Sequence, residues 1–237
     1  IMLHTSFRTD INITCLNKLS LRNVAMSSSS QTQIIEHVVL FKVKDDVDSG
    51  KIDAMVNDLK GLVTLDEVLC LSAGPIHRLR SKSAFTHVLD SRYRSKEDLS
   101  AYVAHPAHVR VVDEYLPIWE DIVALDWIAD QVPNTLAPPP GSVAKITLLK
   151  VKENVSDEAR TKIMEVIKEK SPGIDQITVG ENFTPVRANG FSVGSVAYFK
   201  DLGEMETHKD LDKEKVGEYL DDIIVVELEV PSSSSAA

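Results

Sequence analysis

Glu36-His37-Val38-Val39-Leu40-Phe41-Lys42-Val43-Lys44-Asp45-Asp46-Val47 returns 108 residues later as Ala144-Lys145-Ile146-Thr147-Leu148-Leu149-Lys150-Val151-Lys152-Glu153-Asn154-Val155. Leu40, Lys42, Val43, Lys44 and Val47 are identical to Leu148, Lys150, Val151, Lys152 and Val155. Gly74 meets Gly180 and Phe85 meets Phe191 at an offset of 106, and Glu114-Tyr115-Leu116 meets Glu218-Tyr219-Leu220 at 104. A falling offset is what loop shortening produces. The chain therefore reads as two copies of one unit, 34–130 and 143–231. Between them, 131–142 carries Pro133 and Pro138-Pro139-Pro140-Gly141, a composition that favours an extended, semi-rigid linker. Residues 1–33 form an N-terminal extension, transit-like or disordered, and 232–237 a tail expected to be disordered.

Periodicity predicts the elements of the first copy. Residues 36–44 are an apolar strand. Asp48 or Ser49 caps a helix whose Ile52, Met55, Val56, Leu59 and Val63 keep helical spacing. Val68–Ala73 and Phe85–Tyr93 are further strands. Ser95, with Asp98 three residues on, opens a helix through Leu99, Tyr102 and Val103 in the manner of a capping box. Pro106 suits the first turn of the next helix, where a missing N–H costs nothing. Val109, Val112, Leu116 and Trp119 are expected on the buried face of that helix, and Ile122–Ile128 closes the unit as a strand. The order β-α-β-β-α-α-β describes a ferredoxin-like α+β sandwich. A sheet covered by helices on one side leaves its other face open, and two copies can bury those faces against each other.

At 237 residues, two domains of common size are expected rather than one. No run approaches the roughly 18–20 apolar residues of a membrane span, so no membrane partner is expected. The net charge of −10 divides as +2 over residues 1–30 and −6 over each of 31–132 and 133–237. Two acidic bodies without a basic stripe argue against nucleic acid. Cys15 and Cys70 make neither a disulfide framework nor a zinc spacing, which points to an intracellular, reducing compartment. The first thirty residues are basic and hydroxyl-rich and end in four serines. Two readings stay open: an organelle transit segment, with plastid or peroxisome as destination, or translation from Met26 and a cytosolic protein.

Tyr102-Val103-Ala104-His105-Pro106-Ala107-His108 packs a phenol and two imidazoles into seven positions. Imidazole both gives and takes protons near neutral pH. A helix, a bend and a second helix here can turn Tyr102 and His108 toward a common point. Upstream, His37 shares a strand face with Val39, Phe41 and Val43, and His87 shares one with Phe85 and Leu89. If those faces look toward the helices, all four groups meet. Each has a plainer reading. His37 and His87 would be core histidines satisfied by backbone carbonyls, and Tyr102 with His108 a network serving helix-end groups. His105 would be an N-cap or surface residue. His77, with Arg78, Arg80 and Lys82, would be a solvated loop or the mouth of a pocket holding an anionic tail. In the second copy Lys145, Val193 and His208 stand in place of His37, His87 and Tyr102, and no His-Pro-Ala-His turn follows. That copy is expected to supply a partner sheet and no active site.

On these residues the chain resembles the stress-response A/B barrel, or dimeric α+β barrel, proteins of plants. The resemblance covers 36–128 through the His-Val-Val-Leu-Phe-Lys strand, Phe85-Thr86-His87-Val88 and the Tyr102 to Val109 turn. It covers 144–230 through the Leu-Lys-Val-Lys strand and Glu218-Tyr219-Leu220. It implies an intramolecular dimeric α/β barrel made by the two tandem units, with a further homodimer as an added state. It implies a stable scaffold of unassigned activity that binds a small hydrophobic or polyketide-like ligand. The alternative is a cofactor-independent cyclase, because the family contains a plant polyketide cyclase that closes an aromatic ring in a linear tetraketide. The three histidines and one tyrosine of that enzyme match His37, His87, Tyr102 and His108. An intramolecular aldol needs a base to deprotonate a carbon between two carbonyls and a donor to steady the enolate. His108 would be the base and Tyr102 the donor, with His37 and His87 orienting them or holding substrate. Whether the chain is an enzyme stays open. No cofactor is required. Magnesium is the one ion the resemblance implies, on backbone oxygens of Lys60, Val63 and Asp66, against the other reading of an ordinary helix end.

Overall fold

The computed structural model describes residues 33–130, 133, 136–169, 176–208, 211 and 213–230. Except for Gln33, the N-terminal extension and the C-terminal tail of the sequence reading lie outside the described residues. The first unit comprises β1 (Ile35–Val43), α1 (Ser49–Gly61), β2 (Val68–Pro75), β3 (Arg78–Arg80), β4 (His87–Tyr93), α2 (Lys96–Ala104), α3 (Pro106–Tyr115) and β5 (Trp119–Ile128). The second comprises β6 (Val143–Val151), α4 (Asp157–Glu169), β7 (Ile177–Glu181), β8 (Val193–Phe199), α5 (Leu202–Thr207), α6 (Lys213–Val216) and β9 (Leu220–Glu229). Local chemistry sets the helix starts. The Asp48 carboxylate accepts from the Gly50 N–H at 2.8 Å and the Ser95 hydroxyl accepts from the Asp98 N–H at 3.2 Å. His105 ends α2 and caps α3, its Nδ1 accepting from the Ala107 N–H at 3.1 Å beside Pro106 at the first helical position. One dipeptide thus makes the bend.

The strands form two antiparallel sheets, β2-β4-β1-β5 and β3-β9-β6-β8-β7. The repeat holds in register: Ile35 faces Tyr93 and Ile128, as Val143 faces Phe199 and Glu229. Period-two alternation then sorts the side chains. Val38, Leu40, Val88, Val123, Leu125 and Trp127 of the first sheet share one buried cluster with Ala144, Ile146, Leu148, Val196, Ile224 and Leu228 of the second. The two sheets therefore face each other, as the tandem pattern led us to expect. The outer faces carry separate cores. Val39, Phe41, Val43 and Leu89 belong to the helix-side core of the first unit, and Leu149, Ile163 and Val166 to that of the second. Trp127 fills the space over β7 and β8 so closely that only glycine fits opposite. A Cβ on Gly194 would lie 2.4 Å from Trp127 Cζ3, and one on Gly180 would lie 2.5 Å from the Ile128 carbonyl.

Polar groups also cross between the sheets. Arg92 is buried, and its Nε donates to Glu36 Oε1 at 2.9 Å. Its Nη1 donates to the Leu136 carbonyl at 2.7 Å and to Gln176 Oε1 at 3.2 Å. Thr178 donates to the same Glu36 oxygen at 2.9 Å, and the Tyr198 hydroxyl donates to Asp90. Leu136, in the linker, packs on Ile34, Leu69 and Ala129.

Two expectations are corrected. The basic run is not simply a solvated loop: its Arg78–Arg80 form β3 and join the other unit's sheet, with Arg78 opposite Glu227 on β9. Its charges meet acids there. His77 lies 2.9 Å from Glu229, Arg80 3.4 Å from Glu227 and Lys82 3.4 Å from Asp222. Val109 on α3 and Leu116 just past its end are exposed, whereas Val111 and Tyr115 are buried. Tyr115 packs with Val111 in the helix-side core, and its hydroxyl donates to Asp58 at 2.7 Å.

Candidate functional site

Pairing of β1 with β5 sets His37 opposite Asp126, both toward the helices. An acid on the buried face of an apolar strand needs a partner. His37 Nδ1 lies 2.5 Å from Asp126 Oδ1. An ionised carboxylate can only accept, so Nδ1 carries the proton of this bond. On the other side of β1, Ser91 faces His37, and its hydroxyl lies 3.0 Å from that of Tyr93. Helix α2 brings in Tyr102, whose ring centroid is 6.2 Å from His37 and 5.1 Å from Tyr93. The turn at His105-Pro106 then places the His108 ring 4.6 Å from Tyr102. His108 Nδ1 lies 3.0 Å from the Val103 carbonyl, which can only accept, so its Nε2 is the basic position.

The electrostatics fit these roles. Burial pushes the phenols of Tyr102 and Tyr93 well above their ordinary range, so both remain protonated donors at neutral pH. Burial also lowers His108; the Val103 carbonyl opposes this, while neighbouring His37, Arg187 and His105 add to it. His108 is a neutral imidazole at pH 7. For Asp126, burial pushes the carboxyl up, but the charge and hydrogen bond of His37 and the Thr184 hydroxyl outweigh it, leaving an ionised acid.

Three of the four anticipated groups thus come together: His37, Tyr102 and His108. The fourth is corrected. His87 lies opposite Phe41, four residues along β4 from Ser91, or about 13 Å at the rise of a strand. Its Nδ1 is 2.9 Å from Thr86 Oγ1, it forms no ring contact with the other three, and burial lowers its pKa. Nor is the His37 ring met at Nδ1 by a backbone carbonyl, since an acid takes that place. Asp126 was missed, although an acid alternating with Ile122 and Ala124 on one strand face is a readable signal. Thr184 left no such signal.

Thr184 belongs to the second unit, which the sequence reading gave only a partner sheet. The segment after β7 lies against β5, with Asn182 bridged to Trp127 and the Phe183 N–H donating to the Asp126 carbonyl at 2.9 Å. The Thr184 hydroxyl donates to Asp126 Oδ2 at 2.5 Å. At the corresponding place in the second unit, Lys145 and Glu227 face each other in register. Glu227 is buried and met by Arg78 at 3.5 Å and Arg80 at 3.4 Å. Phe199 and His208, with centroids 4.9 Å apart, stand where Tyr93 and Tyr102 meet in the first.

Among the described residues no group of three or more His, Cys, Asp or Glu is arranged to hold a metal. The three positions proposed for magnesium suit a cation poorly. The Lys60 carbonyl accepts from the Leu62 N–H at the end of α1, and Val63 is buried. The Asp66 carbonyl accepts from the Arg94 guanidinium at 3.2 Å, and that positive charge repels a divalent ion.

Comparison with known proteins follows the same two-fold division. A family model for the stress responsive A/B barrel domain matches residues 35–129 and again 143–230. One stress-response A/B barrel domain-containing protein of Arabidopsis thaliana is 59% identical over 243 residues, spanning 98% of this chain and 92% of that protein. A second protein of the same plant and the same description is 63% identical over 209 residues, spanning 86% of this chain and all of that protein. Olivetolic acid cyclase of Cannabis sativa is 22% identical over 95 residues, spanning 39% of this chain and 94% of that enzyme. No helix among the described residues is long and apolar enough to cross a membrane.

Proposed function

The chain belongs to the stress responsive A/B barrel family, and on that premise we propose that it is a stress-response scaffold whose first unit binds a small, largely apolar ligand. The observation that carries the reading is the buried His37–Asp126 pair under Tyr93, Tyr102 and His108. An ionised acid paired with one imidazole, beside a second imidazole kept neutral, exceeds what packing alone requires. The counterpart in the second unit has lost these groups, so binding belongs to the first. The ligand is small and hydrophobic or polyketide-like, and neither nucleic acid nor membrane is a partner. The compartment proposed is the cell interior: the cytosol if translation begins at Met26, otherwise plastid or peroxisome.

A second reading is favoured by the protonation states. Neutral His108 can take a proton from a carbon between two carbonyls through Nε2, while the Tyr102 hydroxyl donates to the enolate oxygen that forms. The enolate carbon then attacks a second carbonyl of the same molecule, and the resulting alkoxide recovers the proton from His108. The pair of Asp126 and His37 holds the neighbouring acceptor in place. The test is a panel of linear 1,3-dicarbonyl compounds against wild type, His108→Ala and Tyr102→Phe. Binding to wild type that falls at least tenfold in His108→Ala supports a ligand site in the first unit. Turnover falling about 10²–10³-fold in Tyr102→Phe supports the cyclase reading. Equal binding to wild type and His108→Ala refutes both.

A further inference from the structure

We infer that Thr184 of the second unit is a positioning residue for the His37–Asp126 pair of the first, so that the candidate site is complete only in the tandem chain. This rests on the reading of the first unit as the ligand site. Asp126 has two carboxylate oxygens in a buried place. Oδ1 takes His37 and Oδ2 takes the Thr184 hydroxyl, each at 2.5 Å. Bonds to both oxygens fix the rotation of the carboxylate, and the carboxylate in turn fixes the ring plane of His37 and the proton at its Nδ1. Thr184 is itself held. Asn182 Oδ1 accepts from the Asp126 N–H at 2.9 Å and from the Thr184 N–H at 3.1 Å, tying the two backbones to one side chain. Phe183 packs on the helix-side core of the first unit under the Lys96 ammonium, 4.1 Å from the ring centroid. Ala188 is fully buried between the sheets.

The opposite edge of the barrel shows what the choice of a hydroxyl accomplishes. There the reciprocal segment of the first unit crosses to the second and brings Arg78 and Arg80 to Glu227. A guanidinium consumes the charge of an acid and closes the position as an ion pair. A hydroxyl orients Asp126 without neutralising it, and the negative charge stays available to His37. The same exchange of segments therefore yields a closed ion pair in one unit and a poised acid–imidazole pair in the other.

The experiment uses the full chain and needs no ligand, so its failure is separate from failure of the ligand assay. Thr184→Val keeps the shape and removes the donor. In wild type, ¹⁵N shifts of the His37 ring should report a proton held at Nδ1. In Thr184→Val they should move away from that state, and the Asp126 carboxyl carbon should titrate at higher pH because a bond to its ionised form is gone. Thr184→Ser should restore both. Thr178→Val removes another buried cross-unit hydroxyl bond, to Glu36, and should lower stability without moving either signal. If the valine variant does not fold, Thr184→Cys, a weak donor, takes its place with the same expected direction. Unchanged His37 and Asp126 signals in Thr184→Val, or equal movement in Thr178→Val, would overturn the inference.

Discussion

Replacing Arg92 by Met tests the buried network in which an ion pair within the first sheet reaches the second unit through Gln176 and Thr178. The Met side chain retains most of the apolar stem and removes the guanidinium. Glu36, fully buried, then keeps only the Thr178 hydroxyl on Oε1, and the carbonyl of Leu136 and Oε1 of Gln176 lose a donor. Breaking a buried ion pair from one side costs about 3–5 kcal/mol. That range already includes the loss of a donor by the neighbouring buried acceptors. We therefore expect Arg92→Met to cost about 3–5 kcal/mol at pH 7. Glu36→Gln should cost less, because Arg92 keeps its bonds to Leu136 and Gln176 and stays over the Tyr198 ring at 5.2 Å. The double variant should be at least about 1 kcal/mol less destabilised than the sum of the singles, since no lone charge remains. The assay is urea unfolding of all four proteins, followed by both circular dichroism and tryptophan fluorescence so that a second transition would be seen. A cost below about 1 kcal/mol for Arg92→Met, or strict additivity, would refute this account of the network.

The neighbouring acid gives a pH signature. Burial first, then the charge of Glu36, pushes Asp90 up to about 7 in spite of Arg92 and the Tyr198 hydroxyl. The unfolded chain releases that proton near pH 4, so this contribution is fully present below about pH 4 and is lost as pH rises through about 7. Its slope reaches about 1.4 kcal/mol per pH unit. Asp90→Asn should flatten the slope between about pH 4 and 7 in urea midpoints, and parallel curves for the two proteins would contradict this. Gly194→Ala places a methyl group against the Trp127 ring and should cost about 1–3 kcal/mol, with partial recovery in Trp127→Leu/Gly194→Ala. A loss under about 0.5 kcal/mol by thermal unfolding would show that the ring can yield.

What could be read directly from the chain is local or repeats. The doubled Leu-Lys-Val-Lys strand announces two units, because equal alternation makes equal sheets with one apolar face each left to bury. The caps at Asp48 and Ser95 and the bend at His105-Pro106 are decided by residues two or three positions apart. The faces of His37 and Tyr102 followed from period, which is why their meeting with His108 was legible. His87 was placed on the right face but at the wrong height, since alternation names a side of a sheet and says nothing about distance along it. Along α3 and into its cap, Val109 and Leu116 kept helical spacing as well as Val111 and Tyr115 did, and only the neighbouring core and Asp58 chose between the two faces. The exchange of β3 for the segment around Asn182, the plugging of Glu227 by arginines and the bond from Thr184 to Asp126 join residues 58 to 149 positions apart. By itself the sequence determined two ferredoxin-like units and the groups a first-unit site could draw on. Tertiary structure alone decided which of them act together, because the register of one copy's edge against the other depends on packing the two sheets and not on the spacing of residues within either.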